Sequence, residues 1–277
     1  MFRPFKSVSL GGLLFFFAMY PVLISGTHKK YTEPGEVTAT PSNSPNPVVV
    51  VKSAAEIMQE EADVMYDSMH LKNYGLSEKA FEFAWKGFKL LQDEGKLNND
   101  SVISIVDFSQ SSRRKRLYII DIAEVKLLMN TYVAHGRNSG GEYARSFSNS
   151  PESHKSSLGF YITRKTYFGD HGLALKLDGL EKGFNDNALN RGIVIHAANY
   201  VNEKMAQQRG YIGRSLGCPA VPVQLHRAII KQIKDGTCLF LYGADANYTA
   251  KSSMIKGVDV FPLNSGLLQS SLIDSAI

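Results

Sequence analysis

After Asp100 the chain changes rhythm. "SVISIVDF", "RLYIIDI", "VKLLMNTYVA", "LGFYIT", "LALKL", "GIVIHA" and "TCLFLYG" follow one another as short runs rich in β-branched and aromatic residues. Clusters of Gly, Asn, Asp and Ser separate them, the pattern of strands joined by turns. One helix interrupts. Leu225, Ile229 and Ile233 mark its buried face and Gly236 ends it. Strands without regular βα alternation exclude a doubly wound parallel sheet. The expected fold class is mainly β, a sandwich or barrel.

Two helical patterns precede the strands. Ile57, Met58, Ala62, Met65, Tyr66 and Met69 recur at three- and four-residue spacing, as do Phe81, Ala84, Trp85, Phe88 and Leu91. Ser77 fits an N-cap and Gly95 a stop. An aromatic stripe of this kind is core material, so the helical segment is expected to pack on the strands. Further upstream, residues 27–52 are dominated by Pro, Ser, Thr and Asn and read as a disordered linker. Residues 1–26 carry Arg3 and Lys6 ahead of an apolar stretch from Val8 to Ile24. That is the layout of a secretory signal, either cleaved or kept as an N-terminal membrane anchor interrupted by Pro21. The chain is therefore expected in the periplasm or cell envelope. The tail, 246–277, shows no clear period and reads as partly disordered.

Formal charge is +5 and the pI about 9.0, a mild positive balance that suits an anionic wall polymer or membrane surface. Nucleic acid is not indicated, because no dense Lys/Arg stripe interleaves with aromatics. The one basic cluster, Arg113 to Arg116, falls between two strand-like runs and reads as a solvated hairpin turn. His135, His154, His171, His196 and His226 include no close-spaced ligand pair, so no metal site is assigned.

Chemistry is signalled by "IVIHAANY" at 193–200 and "GRSLGCPAV" at 213–221. A thiol acts as a nucleophile in its thiolate form. It needs a base, a group that orients that base, and donors for an oxyanion. His196 ends a strand, and Cys218 sits in a Gly-rich loop before a helix. The N–H groups of Gly217 and Cys218 are candidate oxyanion donors. Cys238, inside a compact apolar strand with no His or Arg adjacent, reads as core. A Cys218–Cys238 disulfide would block the thiol. Papain-like wall peptidases of the NlpC type place Cys before His, the reverse of the order here. Sortases keep His first but with a much longer interval, and Arg227 is a weak match to their Arg.

A strand ending in His, a loop, then Ser-x-Gly-Cys before a helix and a strand opened by Gly-Thr resembles the YkuD-type L,D-transpeptidase catalytic domain. "SSLGFYIT", "LDGLEKGFNDNALNRGIVIHAANYV", "GRSLGCPAV" and "GTCLFLYG" resemble its divergent murein L,D-transpeptidase branch, over about residues 55–245. Leu216 stands where the usual motif has His, and Ala220 where it has Arg or Asn. The resemblance implies an L,D-transpeptidase-like β-sandwich or barrel over 98–245, with a helical segment at 53–97 and one helix after the catalytic Cys. It implies Cys218 as nucleophile, His196 as base, the Ala197 backbone carbonyl as its orienter, and Gly217 as an oxyanion N–H. Ser215 would support the loop. Arg214 is a candidate for binding a stem-peptide carboxylate, and Asn199 and Tyr200 for lining the cleft. The implied substrate is a peptidoglycan stem peptide, processed through a thioester by transfer or by hydrolysis, with no cofactor. Carbapenem-type inhibitors are implied as well. A non-catalytic wall-binding protein that kept the fold is the alternative.

Overall fold

The computed structural model describes residues 52–169 and 172–256. The signal or anchor segment, the linker up to residue 51 and residues 257–277 of the tail lie outside the described residues. Among the described residues no helix is long and apolar enough to cross a membrane.

The described residues form ten strands: β1 (Val102–Asp107), β2 (Leu117–Asp121), β3 (Lys126–Thr131), β4 (His135–Gly136), β5 (Gly159–Gly169), β6 (Gly172–Gly179), β7 (Val194–Ala197), β8 (Gly213–Ser215), β9 (Ala220–Val221) and β10 (Cys238–Tyr242). Eight of them make one mixed sheet in the order β3-β2-β1-β10-β5-β6-β7-β9, while β4 and β8 pair separately. Within the large sheet only β1–β10 and β7–β9 run parallel. The chain is mainly β, and the last strand lies at the centre, between β1 and β5.

That central position explains the β10 sequence. Every residue from Cys238 to Tyr242 is buried. A strand covered on both faces needs a continuous apolar run rather than alternation. Helices α1 (Ala54–Ser68) and α2 (Glu78–Asp93) contribute to the same core. Ser53 and Glu56 form a reciprocal capping box on α1, and the Ser77 hydroxyl accepts from Ala80 N–H to start α2. The face of α2 bearing Phe81, Ala84, Trp85, Phe88 and Leu91 is buried. Gly87 brings this helix close to the sheet. A Cβ there would collide with the Phe160 ring, and Phe160 in turn stacks on Phe240 with centroids 4.2 Å apart.

Helix α4 (Val223–Ile233) follows the Cys218 loop. Its buried face is His226, Ile229, Ile230 and Ile233. Leu225, expected on that face, is exposed instead, because Ile230 completes the stripe with Ile229 and Ile233.

Among the described residues, three α-helices were not expected. Helix α3 (Glu203–Arg209) is started by Asn202, whose side chain accepts from Met205 N–H at 2.8 Å. Helices α5 (Ala246–Lys251) and α6 (Ser253–Lys256) occupy the start of the tail, where the sequence shows no clear period. Their order comes from tertiary contacts. Tyr248 donates to buried Glu181 at 2.8 Å, Ser252 also bonds Glu181, and Met254 and Ile255 are buried.

The basic cluster also differs from expectation. Arg113, Arg114 and Lys115 are exposed in the β1–β2 hairpin, but Arg116 is completely buried. Its guanidinium donates to the carbonyls of Val133 and Gln110, lies over the Phe108 ring, and contacts His135 Nδ1 at 2.7 Å. These partners replace the water a buried charge loses. Burial lowers its pKa to about 9, so it stays cationic at neutral pH.

Candidate active site

Residues 213–221 are held between two short strands. On one side β4 pairs with β8, setting His135 against Gly213 and Gly136 against Ser215. Arg137 N–H donates to Ser215 carbonyl, and Ala134 N–H to Ala220 carbonyl, both at 2.8 Å. On the other side β7 pairs with β9, setting His196 opposite Ala220. Cys218 lies two residues before that partner. The pairing thus brings together a His and a Cys that are 22 positions apart in sequence.

Both side chains line one cavity of about 440 Å³, with Arg191, Tyr200, Arg214, Ser215, Leu216 and Tyr167 also on its wall. His196 Nδ1 lies 3.0 Å from the Ala197 carbonyl oxygen. A carbonyl accepts only, so Nδ1 carries the proton and Nε2 the basic lone pair. Cys218 Sγ accepts from Val194 N–H at 3.4 Å and faces the Gly192 carbonyl at 3.7 Å. Burial pushes the Cys218 thiol up, while the Val194 N–H and the Arg191 guanidinium pull it down, with burial the larger effect. The net effect favours the protonated thiol over the thiolate. Both cysteines are unpaired. Cys238 has no polar group to oppose burial, and its thiol is pushed far up.

The other predicted positions divide. Gly217 adopts φ +125°, and a Cβ there would meet the Lys155 carbonyl at 2.8 Å, so this position needs glycine. Its N–H donates to Ser215 Oγ at 3.2 Å, and its carbonyl accepts from the buried Ser156 hydroxyl at 3.1 Å. The Gly217 donor is therefore engaged by Ser215 before any ligand arrives. Arg214 is exposed and lies over the Tyr200 ring at 5.4 Å. Asn199 is not among the residues lining the cavity. It is exposed, and its carbonyl accepts from Asn202 at 2.7 Å at the start of α3. Leu216 is exposed at the cavity, whereas Ala220 is fully buried between β7 and Ala134.

Arg191 escaped the sequence reading. Its guanidinium donates to the carbonyls of Ser148 and Lys155, both at 2.8 Å, and to the Ser153 and Ser157 hydroxyls. It therefore ties the 148–157 loop to the cavity wall beside Cys218. A single Arg before a strand carries no local signal of this, since all its partners are more than 30 positions away.

Fold and cavity together define a mainly β domain that presents a Cys and a His from neighbouring strand ends to one cleft. The chain belongs to the L,D-transpeptidase catalytic domain family, whose model matches residues 72–242. Among solved structures it is similar to an L,D-transpeptidase from Mycobacterium smegmatis, at 12% identity and TM-score 0.33, over 52% of this chain and 59% of that one. It is similar to the LD transpeptidase LdtMt1 in complex with imipenem at 10% identity and TM-score 0.32, over 51% and 59%. It is also similar to the helical cell shape determining protein Pgp2 from Campylobacter jejuni at 12% identity and TM-score 0.37, over 57% and 54%. The chain thus spans a little over half the length of each of these structures. No curated protein matches it.

Proposed function

We propose that the protein is an exported, cysteine-dependent peptidoglycan L,D-transpeptidase or L,D-carboxypeptidase. The observation that carries this reading is the single cavity lined by Cys218 and His196, with His196 Nδ1 bound to the Ala197 carbonyl. In this reading Cys218 Sγ attacks the carbonyl carbon between an L-centre and a terminal D-alanine. His196 Nε2 takes the thiol proton as the S–C bond forms. The Cys218 N–H faces the developing oxyanion, and the Gly217 N–H joins it once the Ser215 hydroxyl yields. Collapse breaks the C–N bond, and His196 returns the proton to the departing amine of D-alanine. The thioester is then resolved by the amine of a neighbouring stem or by water, which regenerates the thiol.

The domain layout belongs to the same proposal. Residues 1–26 direct export or anchor the chain, 27–52 act as a spacer, 53–97 support the catalytic domain at 98–245, and 246–277 form the C-terminal tail. Envelope localisation and the stem-peptide substrate follow from this reading.

A strained β-lactam amide offers the same electrophile. Incubation with a carbapenem, read by intact-protein mass spectrometry, is expected to add one drug mass to wild type and to Cys238→Ala, and none to Cys218→Ala. Addition should be slow, because the thiol must first lose its proton. No adduct on wild type, with Cys218 free and reduced, favours a wall-binding protein that does no chemistry.

A further inference from the structure

A second cavity of about 460 Å³ opens next to the first, lined by Arg137, Arg209, Arg214, Gly140, Gly141, Gly213 and Tyr211. Arg214 faces both cavities. The three arginines come from three segments: the residue after β4, the end of α3, and β8. All three are exposed. Among the described residues none of them forms an ion pair. Arg137 bonds His154 Nδ1 at 2.7 Å, Arg209 lies over Tyr211 at 5.1 Å, and Arg214 lies over Tyr200. Each is thus held by a ring rather than by a carboxylate. The acids nearest in sequence are committed elsewhere. Glu142 accepts from the Ser111 hydroxyl and Glu203 from the Gln207 amide, and neither lines the cavity.

Three like charges around one opening repel each other, and no acid of the wall offsets that repulsion. Guanidinium groups present paired N–H donors matched to a carboxylate. Gly140, Gly141 and Gly213 keep the wall free of side chains between them, so a ligand can approach the backbone. We propose that this cavity is a carboxylate subsite, in which Arg137 and Arg209 bind a side-chain carboxylate of a peptide whose backbone lies in the Cys218 cavity. Arg214 joins the two cavities. The subsite rests on the reading of the Cys218 cavity as a peptide-processing site.

The test is equilibrium binding to the full-length protein at low and at physiological ionic strength. The probes are a synthetic stem tetrapeptide with free side-chain carboxylates, the same peptide with those carboxylates amidated, and inorganic phosphate. Wild type is expected to bind the free acid about tenfold more tightly than the amide, as for a charge-assisted bidentate contact. Salt should narrow the difference. Arg137→Gln with Arg209→Gln should bind both peptides alike while leaving iodoacetamide labelling of Cys218 unchanged. Equal binding of acid and amide to wild type overturns the subsite, as does binding of neither. Phosphate bound more tightly than the peptide overturns it in favour of a phosphate site. A carboxylate preference without turnover keeps the subsite and overturns the proposed reaction. Turnover without the preference does the reverse.

Discussion

His135 and His196 flank the same loop and have opposite surroundings. His135, on β4, is fully buried, with Nδ1 facing Arg116 at 2.7 Å and Nε2 at 3.1 Å from the Gly140 carbonyl. Burial, helped by the Arg116 charge, lowers its pKa to about 4, so it is neutral across the physiological range. His196, on β7, lines the cavity shared with Cys218, and its Nδ1 is held by the Ala197 carbonyl of its own strand. The first imidazole braces the loop from behind. The second stands on the cavity wall with Cys218. A histidine on a short strand can thus be walled in by the core or set on a cavity wall, and the pairing of its strand decides which.

Separating these roles begins with His196. His196→Gln should lower turnover or carbapenem acylation by about 10²–10⁴-fold, the usual contribution of a general base. Its thermal midpoint should stay near that of wild type. Wild-type rates in this variant would make His196 structural and remove the contrast.

His135→Leu is the converse. It strips an acceptor from the buried Arg116 and a donor from the Gly140 carbonyl. A loss of about 2–4 kcal/mol is expected in denaturant unfolding. Activity per folded molecule should survive at low temperature. An unchanged unfolding midpoint would show that the brace carries no load.

The next effect is in pH. An ordinary His has a pKa of 6.5, and in the folded state His135 is lowered to about 4. Between those values the unfolded chain binds the extra proton, so stability is complete above pH 6.5 and is lost as pH falls toward 4. The loss is on the order of 3 kcal/mol. His135→Leu should flatten this slope, whereas His196→Gln should leave it in place. The same slope in both variants would assign it to other groups.

The smallest expected effect concerns Arg191. Its charge lowers the Cys218 pKa against the larger effect of burial. Arg191→Met should move the pH profile of Cys218 alkylation to higher pH, and Arg191→Lys should restore part of it. A profile unmoved by Arg191→Met would limit this residue to holding the 148–157 loop.

Much of this molecule was legible in its residue pattern. The short apolar runs after Asp100 specify strands because side chains alternate or are covered on both faces. The stripes at 57–69 and 81–91 specify helices because their spacing matches the helical turn. Cys218 stood apart from Cys238 by its loop of Gly and Pro. What the sequence could not carry was long-range. The partners of Arg191 and Arg116 come from distant segments, so no window of sequence holds them together. The helix at 246–251 needs Glu181, more than 60 positions earlier, to satisfy Tyr248. Leu225 and Asn199 had suitable residue types at suitable spacing, and packing turned them away. Strand pairing of β7 with β9 placed His196 beside the Cys218 loop, and pairing of β4 with β8 placed His135 behind it. Local sequence sets which residues can form a strand end. Only the sheet register, fixed by burial of the whole core, decides what each strand end faces.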